Sequence, residues 1–299
     1  MTGSLAVLTN PTAGRGRYGN VLDEVLERLR AAGRPVQVLT PATADQVPGT
    51  CRAALDGGAG ALVAVGGDGT VHLALQALAG TGVPFGIVPA GTGNDIAANF
   101  GLPAQPVAAA TVAAEALRTG HSRTFDLGRA ELADGTVRWF AGVLGAGFDA
   151  IVNERANAMR YPKGPRRYDV AILAEMLRLH PRAYAIGLDG TTRRLNGVLV
   201  AIANTGCYGG GYRICPAADP HDGLLDVMIG GEFSRAGLLR ILPRVRAGSH
   251  LGHPLVESHQ AGTVRVDAEG IVAYADGERI GPLPLTATCV PGALTLLVP

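Results

Sequence analysis

No run in this 299-residue sequence reaches the roughly 18 consecutive apolar residues of a membrane-spanning helix. If the chain handles a lipid, it must meet the membrane from the water side. An excess of charge is lacking too. Lysines and arginines number 26 and acidic residues 25, for a net charge of +1. Such a balance gives no reason to expect a nucleic acid as partner. Hydrophobic residues make up 47%, which supports a sizeable core and excludes a disordered chain. Cysteines are few: Cys51, Cys207, Cys215 and Cys289. None are spaced as C-x-x-C, so a zinc site is not expected, and they read as reduced thiols of a cytosolic protein. Residues 1–10 have no basic start and only a short apolar run, unlike a signal peptide. Neither a G-x-x-x-x-G-K-[ST] loop nor a G-x-G-x-x-G loop occurs. That excludes a P-loop enzyme and argues against a dinucleotide-binding Rossmann site.

Glycine, by contrast, is abundant, with 43 residues, and implies many tight turns and close backbone approaches. The first third alternates strand and helix patterns. Strands are expected at 4–9, 36–39, 61–65 and 84–88. A helix is expected at 20–32, where Val21, Leu22, Val25, Leu26 and Leu29 follow helical spacing and Gly33 offers a C-cap. Further helices are expected at 70–78 and within 103–119. Alternation of this kind implies a parallel sheet covered on both faces, with ligands at the carboxyl ends of its strands.

From about Asp126 short strands dominate, expected at 125–132, 138–143, 183–188, 197–203, 224–229, 263–267, 271–275 and 286–290. Val264, Arg265, Val266 and Asp267 alternate apolar and charged, as in a half-exposed antiparallel strand. Helical inserts are expected near 168–179 and 234–246. The chain therefore divides into an α/β domain of residues 1–126 and a β-sandwich domain of residues 127–299. The last strand, about 286–299, is able to return to the first domain.

Three glycine-rich loops follow strands of the first domain: Asn10-Pro11-Thr12-Ala13-Gly14-Arg15-Gly16, Gly66-Gly67-Asp68-Gly69-Thr70 and Pro89-Ala90-Gly91-Thr92-Gly93-Asn94-Asp95. Backbone N–H groups free of Cβ atoms suit phosphate oxygens, helped by helix N-termini. Asp68 has two readings: it caps the helix beginning near Thr70, or it faces magnesium and phosphates, which its flanking glycines favour. Asp276-Gly277 reads on the residues alone as a hairpin turn, although a carboxylate on a turn after an apolar strand also suits a base. Asp219 and Asp222 share one loop, either as a solvated acidic face or as ligands for a hard cation. Arg155, Arg160, Lys163, Arg166 and Arg167 cluster in an expected loop with Tyr161 and Tyr168. They form a solvated face, or meet anionic headgroups or ATP phosphates. His72 reads as a helix residue.

At these motifs the sequence resembles the diacylglycerol kinase catalytic-domain family, soluble bacterial lipid kinases in particular, over nearly its whole length. Besides the three loops, Gly145-Ala146-Gly147-Phe148-Asp149-Ala150 is similar to the family's G-x-G-F-D-A segment. Gly209-Gly210-Gly211, Pro216-Ala217-Ala218 and Asp222-Gly223-Leu224-Leu225-Asp226 are similar to its G-G-G…P-x-A…D-G-L-L-D stretch, and Asp276-Gly277-Glu278 to its D-G-E. G-G-D-G alone is shared with NAD kinases and phosphofructokinases, but the ordered set is specific. Many relatives read D-D-G where this chain has His221-Asp222-Gly223.

The resemblance implies a Rossmann-like G-G-D-G-T kinase domain plus a C-terminal β-sandwich, with the active site in the cleft between them. It implies ATP contacts at Asn10, Pro11, Thr12, Ala13, Gly14, Thr40, Gly66, Gly67, Asp68, Gly69, Thr70, Val71, His72, Thr92, Gly93 and Asn94. It implies Asp276 as the base that takes the proton of a lipid hydroxyl, with Glu278 nearby. It also implies a structural Mg2+ held by Asp219, Asp222 and the carbonyl of Leu224. Function on this reading is transfer of phosphate from ATP to a lipid, diacylglycerol first, by a cytoplasmic protein that visits the membrane surface. Relatives often dimerise, so a homodimer is allowed. Rival readings are an NAD kinase-like enzyme, a kinase of sphingoid bases or ceramide, and a non-catalytic nucleotide- or lipid-binding protein.

Overall fold

The computed structural model describes residues 3–9, 19–162 and 166–299. The chain forms two compact units, one of Met1–Leu127 with Val290–Pro299, the other of Gly128–Cys289.

In the first unit, β1 (Ser4–Thr9), β2 (Val36–Leu39), β3 (Ala59–Gly66) and β4 (Phe85–Pro89) form a parallel sheet in the order β2-β1-β3-β4. The end of β16 (Leu285–Leu296) extends it beside β4, parallel, with Leu296 opposite Phe85. Alternate side chains face opposite ways along a strand. Leu5, Val7, Ala61 and Val63 pack with Val25 and Leu29 of α1 (Gly19–Arg30) and with the alanines of α5 (Pro106–Thr119). On the other face α2 (Val47–Asp56) and α3 (Asp68–Leu78) pack on each other and on β3. Covered faces explain why Leu62, Val63 and Ala64 are all fully buried. The sequence reading placed no element over α2, whose first turn holds Pro48 and Gly49. Proline in the first helical turn breaks no hydrogen bond, so the helix forms regardless.

The second unit is a β-sandwich. Its first sheet places β13 (Thr263–Asp267) antiparallel between β16 and β8 (Arg182–Leu188), with β9 (Thr191–Gly197) beyond β8. The hairpin of β5 (Arg123–Leu132) and β6 (Val137–Phe140) joins through β16. The second sheet is antiparallel throughout. It comprises β7 (Val143–Gly147), β10 (Leu199–Ala203), β11 (Leu225–Gly230), β12 (Val256–Ala261), β14 (Val272–Ala275) and β15 (Glu278–Pro282) in the order β12-β11-β10-β7-β14-β15. Phe140, Ile186, Val264 and Val266 from one sheet meet Leu144, Ile202, Val227 and Ala273 from the other. On the outer face of the second sheet, Ala201 and Met228 pack under Leu238 and Ile241 of α8 (Arg235–Ala247) and Met176 of α7 (Arg166–Leu177).

Three differences from the sequence reading concern this unit. The strand expected at 138–143 is two strands, β6 and β7, separated by Ala141 and Gly142. Strands β9, β12 and β15 escaped notice, and all three are sheet edges, where few apolar residues are needed. The segment after Gly147, where no helix was expected, forms α6 (Phe148–Ala158). None of the four cysteines is in a disulfide, and burial pushes the thiol of Cys51 up to about 11.

Phe140 is fully buried within the sandwich core. Phe140→Ala is expected to destabilise the protein by about 3–5 kcal/mol, measured by urea denaturation.

Candidate active site

Because β1 to β4 are parallel, Thr9, Leu39, Gly66 and Pro89 end at one edge of the sheet. Two of the three glycine loops meet there. Ala90 donates its N–H to the Gly66 carbonyl at 2.8 Å. A Cβ on Gly91 would lie 2.4 Å from the Gly67 Cα, so neither loop has room for a side chain at the crossing. Asp68 joins them further on: its Oδ1 accepts the Ile96 N–H at 3.0 Å. It therefore caps α4 (Asp95–Asn99) rather than its own helix α3, which starts at Asp68 itself. Its Oδ2 faces Gly93, where a Cβ would come within 2.9 Å. Asn94, at φ 59, folds its side chain back so that Oδ1 accepts the Gly91 N–H at 2.9 Å and Nδ2 donates to the Gly91 carbonyl at 3.2 Å. Asn is among the few residues that adopt this left-handed backbone readily.

Gly66, Gly67, Asp68, Gly69, Thr92, Gly93 and Asn94 are thus brought together. Thr40 lies at the same sheet edge and is exposed. Thr70, Val71 and His72 are buried on α3, and the His72 ring lies against the Gln76 amide. Asn10, Pro11, Thr12, Ala13 and Gly14 lie outside the described residues. Thr9, just before them, is paired with Val65 of β3.

In the second unit Asp276 and Gly277 are the two-residue turn between β14 and β15, at φ 55 and 83. Positive φ at both positions marks a type I′ hairpin turn, so the hairpin reading holds for the backbone. The side chain does something further. Its Oδ1 accepts the Gly142 N–H at 2.8 Å and its Oδ2 the Ala141 N–H at 3.0 Å. These bonds take two of about four lone-pair directions of a carboxylate and fix its plane. Any Cβ on Gly142 would sit 2.7 Å from that Oδ1. Asn204 braces the same segment from β10: its Nδ2 donates to the Ala141 carbonyl at 3.0 Å and its N–H to that of Gly142 at 2.9 Å. The buried Thr205 hydroxyl also lies beside Gly142. Sequence reasoning missed Ala141, Gly142, Asn204 and Thr205. The available signal was a polar Asn-Thr pair ending the apolar run of β10. Glu278 follows the turn and is exposed.

Asp219 and Asp222 lie in the loop before β11. The Asp219 carboxylate accepts the His221 N–H at 3.1 Å, and the Asp222 Oδ1 accepts the Leu224 N–H at 2.9 Å. Gln260 donates to Asp222 at 3.3 Å and to Asp226 at 3.2 Å. Burial raises the Asp226 carboxyl above its ordinary range, and the neighbouring Asp222 charge adds to the rise. Among the described residues no group of three or more His, Cys, Asp or Glu side chains gathers as metal ligands. Two carboxylates and a backbone carbonyl are nonetheless hard oxygen donors, of the kind that suits a cation such as Mg2+.

The arginine cluster is only partly a loop: Arg160 and Tyr161 lie between two helices. Arg155 is on α6 and pairs with Glu175 of α7, while Arg166 and Arg167 open α7. Lys163 lies outside the described residues. Two hollows of about 580 and 570 Å3 in the second unit contain none of the residues assigned to nucleotide, base or metal.

Asp149, at the start of α6, has its carboxyl pushed up to about 6 by burial, against hydrogen bonds from the Ala150 N–H and the Tyr208 hydroxyl. Folding therefore favours its protonated form. That contribution is complete below about pH 4 and lost as pH rises through about 6.

The family profile described as the diacylglycerol kinase catalytic domain matches residues 4–130. A second, described as the YegS C-terminal NAD kinase beta sandwich-like domain, matches residues 142–298. A Mycobacterium tuberculosis protein named diacylglycerol kinase is 42% identical over 299 residues, covering 99% of this chain and 96% of the relative. One of the same name from Bacillus subtilis is 24% identical, covering 93% and 90%. The crystal structure of a diacylglycerol kinase from Bacillus anthracis superposes with a TM-score of 0.74 at 18% identity, covering 99% of this chain and 97% of that one. Fold and motifs together define a two-domain kinase of the glycine-loop class. The chain belongs to the diacylglycerol kinase family of lipid kinases.

Two outcomes are expected. Gly91→Ala must force the loops apart at Gly67, costing about 1–3 kcal/mol in urea denaturation. Between pH 4 and 7 the native protein is expected to lose about 2–3 kcal/mol that Asp149→Asn does not lose, measured as denaturation midpoint against pH. Parallel profiles would contradict that assignment.

Proposed function

We propose that the protein transfers the γ-phosphate of ATP to the hydroxyl of a membrane lipid, with diacylglycerol as acceptor and phosphatidic acid as product. The observation that carries the reading is the crossing of Gly67 and Gly91 at the carboxyl edge of the parallel sheet. Ligands of open α/β sheets bind at that edge, and Cβ-free backbone suits phosphate oxygens. On this reading Asn10, Pro11, Thr12, Ala13, Gly14, Thr40 and the two crossed loops hold the nucleotide. Val71 and His72, buried on α3, take part through their backbone or by fixing the helix. Asp68 orients the phosphates and their magnesium, and magnesium supplies neutralisation of the phosphate oxygens. A second Mg2+ is assigned to Asp219, Asp222 and the Leu224 carbonyl, as a structural support of the β11 end.

Asp276 is assigned as the general base. The lipid hydroxyl oxygen forms a bond to the γ-phosphorus as its proton passes to the Asp276 carboxylate. The bond from the γ-phosphorus to the bridging oxygen breaks, and ADP leaves with those electrons. Two backbone N–H groups hold the carboxylate in one plane, which is the positioning a base requires. Glu278 is placed near it without an assigned proton.

Radiolabelled ATP with magnesium, offered diacylglycerol, a sphingoid base, ceramide and NAD, should label diacylglycerol. Label in NAD alone would overturn the lipid reading, and label in none would favour a binding protein. Asp276→Asn is expected to lower turnover about 10²–10⁴-fold while ATP affinity stays near its native value; the melting temperature falls somewhat, because the amide nitrogen faces one of the two N–H groups that the carboxylate accepts. Gly142→Ala, which displaces the Asp276 Oδ1 and leaves its charge, should also lower kcat, with little change in KM for ATP. Near-native kcat in both variants would remove Asp276 from the role.

A further inference from the structure

Asp276-Gly277 has a counterpart in the same unit. Asp189-Gly190, between β8 and β9, is also an Asp-Gly turn with positive φ at both residues. Its carboxylate likewise accepts two main-chain N–H groups, those of Gly262 at 3.2 Å and Thr263 at 2.8 Å. Such seating fixes a turn wherever it occurs. What sets Asp276 apart is the group behind it. Asp189 is exposed, and outside its own segment Gly262 has only that carboxylate within 4 Å of where a Cβ would lie. Around Gly142 the same position is bordered by Asp276 Oδ1 at 2.7 Å and by the Thr205 hydroxyl oxygen at 3.8 Å.

Thr205 follows β10, a central strand of the second sheet, and is 2% exposed. Its N–H shares the Gly142 carbonyl with that of Asn204. Its Oγ1 is buried and has no hydrogen-bond partner among the described residues. A buried hydroxyl without a partner costs free energy that a methyl group in its place would not. Valine has the same shape, so folding alone gives no reason for a hydroxyl here. Local rules are broken in this way chiefly at functional sites.

We infer that Thr205 is a positioning residue of the proposed reaction, donating its hydroxyl hydrogen to Asp276 Oδ1 once the acceptor alcohol is in place. The two oxygens are not bonded in the resting protein. Asp276 is half-buried at a hairpin tip beside exposed Gly277, whereas Thr205 is fixed at the end of a central strand, so the closing movement falls to the turn. A hydrogen bond to an ionised carboxylate is among the stronger kinds. Gly142 already donates to Oδ1 and Ala141 to Oδ2. A further bond from Thr205 occupies Oδ1 and directs the proton of the acceptor hydroxyl to Oδ2. Thr205 thereby selects the oxygen that acts as base, and keeps its own hydrogen throughout.

This inference rests on the lipid-kinase reading and on Asp276 as its base. Labelling of diacylglycerol from radiolabelled ATP, with thermal unfolding of each protein, tests it in Thr205→Val, Thr205→Ser, Asp276→Asn and the double variant Thr205→Val, Asp276→Asn. Thr205→Val should lower kcat about ten-fold or more, with KM for ATP and for diacylglycerol near native, and Thr205→Ser should keep most of the activity. The resting protein loses no hydrogen bond, so Thr205→Val should melt no lower than the native protein. In the Asp276→Asn background the same substitution should change kcat less than about two-fold, because Thr205 acts through the carboxylate. Native kcat in Thr205→Val would overturn this inference alone. So would a kcat loss that comes with a lower melting temperature, as a structural hydroxyl predicts, or an equal loss in both backgrounds. Lipid left unlabelled by the native protein would overturn the kinase reading and this inference with it.

Discussion

Backbone-to-backbone contact between Gly67 and Gly91 is the constraint on which the site of the first unit depends. Two loops from neighbouring parallel strands can approach so closely only where both lack a Cβ. The approach sets where Asp68 lies, and Asp68 then caps α4 of the opposite loop. Asn94 closes the arrangement from the other side by bonding both polar groups of Gly91. Each bond is worth only about 1 kcal/mol. Their joint effect is geometric: a rigid, side-chain-free backbone at the sheet edge where α/β proteins bind ligands.

The second unit solves a different problem with the same economy. A two-residue hairpin turn of type I′ requires positive φ at both positions, which Asp276 and Gly277 adopt. Turn geometry alone would leave Asp276 at the end of a hairpin. The interruption between β6 and β7 gives it a seat, because Ala141 and Gly142 turn their N–H groups toward it and Asn204 braces their carbonyls. A carboxylate fixed by main-chain groups depends little on the conformation of neighbouring side chains, which is the positioning the proposed role of base requires.

Much of the α/β unit was legible because buried parallel strands are written as continuous apolar runs. Ala61 to Val65 is such a run, and the loops after β3 and β4 announced themselves by their glycines. Asp68 was recognisable as special, but not as the cap of a helix 28 residues away, since sequence does not reveal which loop lies beside which. Helix α2 went unmarked; it begins with Pro48 and Gly49, two poor helix formers that a first turn tolerates. In the sandwich the edge strands β9, β12 and β15 were hidden by polarity, and α6 by the glycines before it. Periodicity reports that a helix has apolar stripes but not which of them the fold leaves in water.

The account rests on the crossed loops acting together as a nucleotide cradle. Hydrogen–deuterium exchange followed by mass spectrometry, with and without ATP and magnesium, tests this most directly. Protection is expected to rise together in peptides covering residues 66–72 and 90–96, the two sides of the Gly67–Gly91 contact. Nucleotide that binds and leaves both segments exchanging as before, while protecting another part of the chain, would contradict it.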